Sequence, residues 1–73
     1  MAAIELRDAD GNLVVEAATL AELMDMAKDF KAAKHTPAYK LLHRIRDAIA
    51  EGKTTKFEIG GVLLERGYRV KFS

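Results

Sequence analysis

A chain of 73 residues with no cysteine has room for one hydrophobic core and lacks disulfides, thiolate nucleophiles and the ligands of most structural zinc sites. Hydrophobic residues at 49% and charged residues at 32% describe a globular chain and are too apolar for a disordered one, while a core this small rarely supplies more than about 3–5 kcal/mol of stability. No apolar run approaches the roughly 18 residues a membrane span needs, and Met1-Ala2-Ala3-Ile4-Glu5 is no secretory leader, so a cytoplasmic protein without membrane contacts is expected.

The net charge of +1 conceals a segregated distribution. Residues 1–27 carry one basic side chain against six acidic ones, a net of −5. Residues 28–46 carry six basic side chains against Asp29 alone, a net of +5, and residues 47–73 carry +1. Such asymmetry bears on partners rather than on fold.

Residues 4–18 read as a β-hairpin. Ile4 and Leu6 alternate with Glu5 and Arg7, and Leu13, Val15 and Ala17 alternate with Val14 and Glu16. Asp10-Gly11 between them supplies the positive-φ positions of a tight turn. Thr19 followed by Glu22 is a capping-box pattern, opening a helix with Leu20, Leu23, Met24, Ala27 and Phe30 on its apolar face. Lys31 and Lys34 fall near its C-terminal end, where cations suit the helix dipole. A second helix starts with Thr36 as N-cap and Pro37 in the first position, and carries Ala38, Leu41, Leu42, Ile45, Ala48 and Ile49 as a buried stripe. Gly52 is its left-handed C-terminal residue.

The last third reads as strand, turn, strand. Thr54–Ile59 is β-branched and aromatic, with Phe57 and Ile59 on one face; Gly60-Gly61 breaks it. Val62–Arg66 makes about one helical turn, Gly67 stops it, and Tyr68, Val70 and Phe72 alternate with Arg69 and Lys71 as a strand. The alternative, a helix over 54–66, is disfavoured because two interior glycines cost about 1 kcal/mol each relative to alanine. The expectation is a single α+β domain over 1–73, a small antiparallel sheet packed by two helices in the order ββααβ(β).

Chemistry-bearing motifs are scarce. Gly52-Lys53-Thr54 has the end of a phosphate-binding loop, but the position five residues before Gly52 is Asp47, inside a helix, and a helix precedes the segment where a strand should. The only imidazoles, His35 and His43, match no metal spacing. Ser73 is the only serine, so no Ser-His-acid nucleophile can be assembled from the body of the chain. No cofactor, no metal and no enzymatic activity are expected.

The strongest binding candidate is basic and aromatic. On the second helix Tyr39, His43 and Arg46 fall at i, i+4 and i+7 beside the buried stripe, and Lys40 and Arg44 fall on its far side. With Lys31, Lys34 and His35 they form one positive surface; the bland alternative is a solvated face that balances the acidic hairpin. Tyrosine and arginine are frequent interface anchors, and a positive groove with an aromatic also suits nucleic acid. Arg69 and Lys71 either extend this surface or protect an edge strand.

The run Ile45-Arg46-Asp47-Ala48-Ile49-Ala50-Glu51-Gly52-Lys53-Thr54-Thr55, continuing to Gly67-Tyr68-Arg69-Val70, resembles small phage-encoded accessory proteins, among them short inhibitors of host RNA polymerase and anti-CRISPR proteins. That resemblance implies a stand-alone α+β domain acting by occupying a surface of a larger machine. The leading expectation is therefore a non-enzymatic interaction module whose basic face, Tyr39, Lys40, His43, Arg44 and Arg46 foremost, meets an acidic surface on a larger protein complex. A small nucleic-acid-binding, winged-helix-like regulator is the alternative. A homodimer pairing the basic helical face of one chain with the acidic hairpin of its twin is a third reading.

Overall fold

The computed structural model describes residues 3–29 and 34–72. Strands β1 (Ile4–Arg7), β2 (Leu13–Ala17) and β3 (Arg69–Phe72) form an antiparallel sheet in the order β2-β1-β3, and helices α1 (Leu20–Asp29), α2 (Pro37–Ala50) and α3 (Lys56–Glu65) lie between β2 and β3 in sequence. The fold is α+β, as the sequence patterning indicates. The period-2 alternation sets the register. Ala17, Ile4 and Phe72 form one cross-strand row, and Val15, Leu6 and Val70 form the next. Their helix-facing side chains meet Leu23, Ala27, Leu41, Leu42, Ile45, Ile59 and Leu63 in one core. Helix α2 lies between α1 and α3; α1 and α2 contact β2, and α3 contacts β3.

The hairpin turns where expected, by a different geometry. Only Gly11 has a positive φ, at 89°; Asp10 does not. The loop Asp8–Asn12 is closed by Gly11 N–H to Asp8 O and Asp8 N–H to Asn12 O, both 3.0 Å, and the Asp8 carboxylate accepts from the backbone N–H groups of Asp10 and Asn12 at 2.9 Å. The extra residue appears as a register shift between Leu6 and Arg7, as in a bulged hairpin.

The segment after Gly52 corrects the sequence reading. Residues 56–65 form a third helix, so the strand expected over Thr54–Ile59 is absent and three helices, not two, cover the sheet. Thr55 accepts from Glu58 N–H at 3.2 Å, while Glu58 accepts from Thr55 N–H at 3.3 Å and from its hydroxyl at 2.9 Å, a complete capping box. At α1 only half of that arrangement forms: Thr19 accepts from Glu22 N–H at 3.1 Å. Both glycines sit inside α3. The cost of about 1 kcal/mol each is offset by Ile59 and Leu63, four apart and fully buried, at about 1.5–3 kcal/mol apiece. Gly60 is itself buried, and a Cβ there would stand 3.3 Å from Phe72 Cε2. Its lack of a side chain lets α3 settle onto β3.

Helices α2 and α3 end alike. Gly52 (φ 84°) and Gly67 (φ 87°) donate to Ile49 O and Leu64 O, and the next residues, Lys53 and Tyr68, donate to Ala48 O and Leu63 O. These are paired Schellman closures. At the start of α2, Thr36 accepts from Tyr39 N–H at 3.2 Å, as its N-cap assignment requires. Thr36→Ala is expected to cost about 1 kcal/mol in a urea unfolding titration, and an unchanged midpoint would contradict the cap. The expected packing of Phe30 lies outside the described residues.

Two carboxylates tie stability to acid pH. Hydrogen bonds from Asn12, the backbone N–H foremost, hold Asp8 below its ordinary value of 3.8. The Thr55 hydroxyl, then its backbone N–H, hold Glu58 below 4.5. Both contributions are fully present above those ordinary values and are lost as pH falls through the depressed native ones. Urea midpoints taken from neutral pH to about pH 3 should therefore drop at the acid end. The double variant Asp8→Asn/Glu58→Gln should show a shallower drop; an identical acid limb would remove both groups from the explanation.

Candidate functional site

The solvent side of α2 opposes its buried stripe. Tyr39, Lys40, His43 and Arg44 occupy i, i+1, i+4 and i+5, a single ridge rather than two flanks of the stripe. With Tyr68 they line a pocket of about 400 Å³. Tyr68 reaches it because the Schellman closure of α3 turns the chain back toward β3, with Tyr68 N–H on Leu63 O at 3.0 Å. Lys40 and His43 are exposed, while Tyr39, Arg44 and Tyr68 are half-buried. Among the described residues no acidic side chain lines the pocket. The nearest carboxylate on the helix, Asp47, lies 3.3 Å from His43 Nδ1, one turn on.

The other expected residues are dispersed. Lys34 and His35 are exposed in the turn preceding α2, and His35 has a left-handed φ of 72°. Arg46 is exposed on α2 and does not line the pocket. Lys31 lies outside the described residues. Arg69 and Lys71 are exposed and alternate with Val70 and Phe72, which pack on the core. They therefore project from the sheet face opposite the helices and do not extend the α2 surface. Tyr68 was not among the expected site residues; its place in the Tyr68, Val70, Phe72 alternation was the available signal, since that set faces the helices.

A second concavity of about 310 Å³ lies on the other flank of α3. It is lined by Lys56, Phe57, Gly60, Gly61 and Leu64 of the helix and by Val70 and Phe72 of β3. Phe57 is 91% exposed and Leu64 61%.

Among the described residues no group of three or more His, Asp or Glu side chains is placed to hold a metal ion, and no helix is long and apolar enough to cross a membrane. Gly52-Lys53-Thr54 is the C-terminal closure of α2, with Lys53 Nζ 4.0 Å from Glu51. Comparison with protein families, curated proteins and solved structures gave no match.

Proposed function

We propose that this chain is a non-enzymatic interaction module whose α2 ridge docks on an acidic surface of a larger protein complex. The observation that carries the reading is the convergence of Lys40, His43 and Arg44 with Tyr39 and Tyr68 around one pocket, with no acid in its lining among the described residues. Half-buried tyrosine and arginine supply rigid contact area, and the cationic groups steer a negatively charged partner into place. The same groups suit a nucleic acid. What favours a protein is the acidic hairpin of the same domain, since residues 1–27 carry a net of −5 and repel phosphates. The resemblance to phage-encoded inhibitors suggests the class of target, a bacterial machine such as RNA polymerase or a CRISPR effector.

The test is affinity purification from nuclease-treated bacterial lysate, with wild type and Lys40→Glu/Arg44→Glu side by side. One stoichiometric complex held by wild type and lost by the variant is the expected result. Recovery of nucleic acid without nuclease, and of no protein with it, would overturn the reading in favour of nucleic-acid binding. The homodimer reading predicts a salt-sensitive dimer in sedimentation, and a monomer at both low and high salt would end it.

A further inference from the structure

The helix layer is wider than the sheet beneath it. Three helices lie over three strands; α3 contacts β3, and β3 is the last strand on that side, with no further strand on its outer edge among the described residues. One stripe of α3, Phe57, Gly61 and Leu64, consequently faces the space beside β3 instead of a strand. The two features coincide. An edge strand offers outward-pointing N–H and C=O groups from alternate residues, and the apolar stripe above that edge lacks the side chains that a further strand would place against it.

We propose that this groove takes an extended segment of a partner protein as a fourth strand beside β3, with apolar side chains toward α3 alternating with acidic ones on the opposite face. The alternation follows from what each face would meet. Toward the helices a new strand encounters Phe57, Leu64, Val70 and Phe72, and the bare backbone at Gly61, where nothing lies within 4 Å of a Cβ position, leaves it room. On the opposite face it lies next to Arg69 and Lys71. Both are exposed, and neither forms an ion pair with a described residue. Glu5, the cross-strand neighbour of Lys71, is already engaged by Arg7 at 3.0 Å. Two unpaired cations on a strand call for carboxylates on the strand beside it. A second copy of this chain is the poorer occupant, because antiparallel pairing of β3 with its twin about Val70 sets Arg69 opposite Lys71. A helical partner would leave the edge groups of β3 unused. Phe57 and Leu64 would then serve as anchors, and backbone hydrogen bonds would supply the register.

This site shares no residue with the α2 pocket, so the two readings fail separately. The probe is a capped peptide of about seven residues alternating glutamate with valine, titrated to about 1 mM into the isotope-labelled chain while amide shifts are followed by NMR. Shifts at Phe57, Gly61, Leu64 and Arg69–Phe72 are expected. A lysine-for-glutamate peptide should bind about tenfold more weakly. N-methylation of one alternating set of peptide amides should abolish binding, and methylation of the other set should be tolerated. Leu64→Ser, an exposed position, should lose binding while keeping its unfolding midpoint, and Lys40→Glu/Arg44→Glu should bind the peptide as wild type does. The proposal is overturned by absent shifts, by shifts confined to Tyr39–Arg44, by tolerance of both methylated sets, or by a lysine peptide that binds equally well. A concentration-dependent dimer that protects β3 would hand the groove to a second copy.

Discussion

Ile45→Ala is expected to leave most of the chain unfolded at about 25 °C. Ile45 is fully buried on the middle helix, in the cluster that joins α1, α3 and the sheet. Truncating such a residue removes about 2–5 kcal/mol, because the lost transfer energy adds to that of the cavity left behind. A core in a chain of this size supplies no more than about 3–5 kcal/mol altogether, so a single substitution consumes most or all of it. The contrast is Leu64→Ala, 61% exposed, which should move stability by no more than about 0.5 kcal/mol. Urea titrations followed by far-UV circular dichroism separate the two. A cooperative Ile45→Ala transition with the wild-type midpoint would mean that α2 does not hold the core together.

Lys40→Glu/Arg44→Glu should weaken binding of the partner complex by at least about 30-fold, the ratio that a loss of 2 kcal/mol produces. Lys40 and Arg44, the lysine and arginine of the pocket lining, both change sign, so attraction becomes repulsion in the approach as well as in the complex. The wild-type affinity should also fall as salt rises, because exposed charges are screened over about 8–10 Å at physiological ionic strength. Lys34→Glu is the control. Lys34 is basic, exposed and close in sequence, yet it does not line the pocket, so its effect should stay within about threefold, which is under 1 kcal/mol. Equal losses from both variants would reassign the binding to diffuse positive charge. The unfolding midpoint should be unchanged in Lys34→Glu, an exposed position, and should fall only slightly in the double variant, where the half-buried stem of Arg44 gives up some packing.

The tail shows why local rules can conflict. Thr55-Lys56-Phe57-Glu58 has the same spacing as Thr19-Leu20-Ala21-Glu22, and it announces a helix as clearly. The two glycines that follow argue against one. Neither signal decides the outcome by itself, because the deciding interaction is with β3: Gly60 sits where a side chain would press on Phe72, and Ile59 and Leu63 reach the core only from a helix in that place. The exposure of Phe57 follows from the same choice, since a strand would have put it on the same face as Ile59.

By itself the sequence determined what depends on neighbours within a turn or two of chain. The alternation of β1 and β3, the Thr36 cap with Pro37 behind it, the buried stripe of α2, and the glycine stops at 52 and 67 are all interactions of short range, legible from spacing; in β2 the bulge instead leaves Leu13 46% exposed while Val14 packs on the core. Only the tertiary structure decided the helical state of residues 56–65, the meeting of Tyr68 with Tyr39, Lys40, His43 and Arg44, and the open edge of β3 beneath α3. Each of these brings together segments far apart in the chain, and their energetics lie in packing and burial between elements, which no local pattern of residues records.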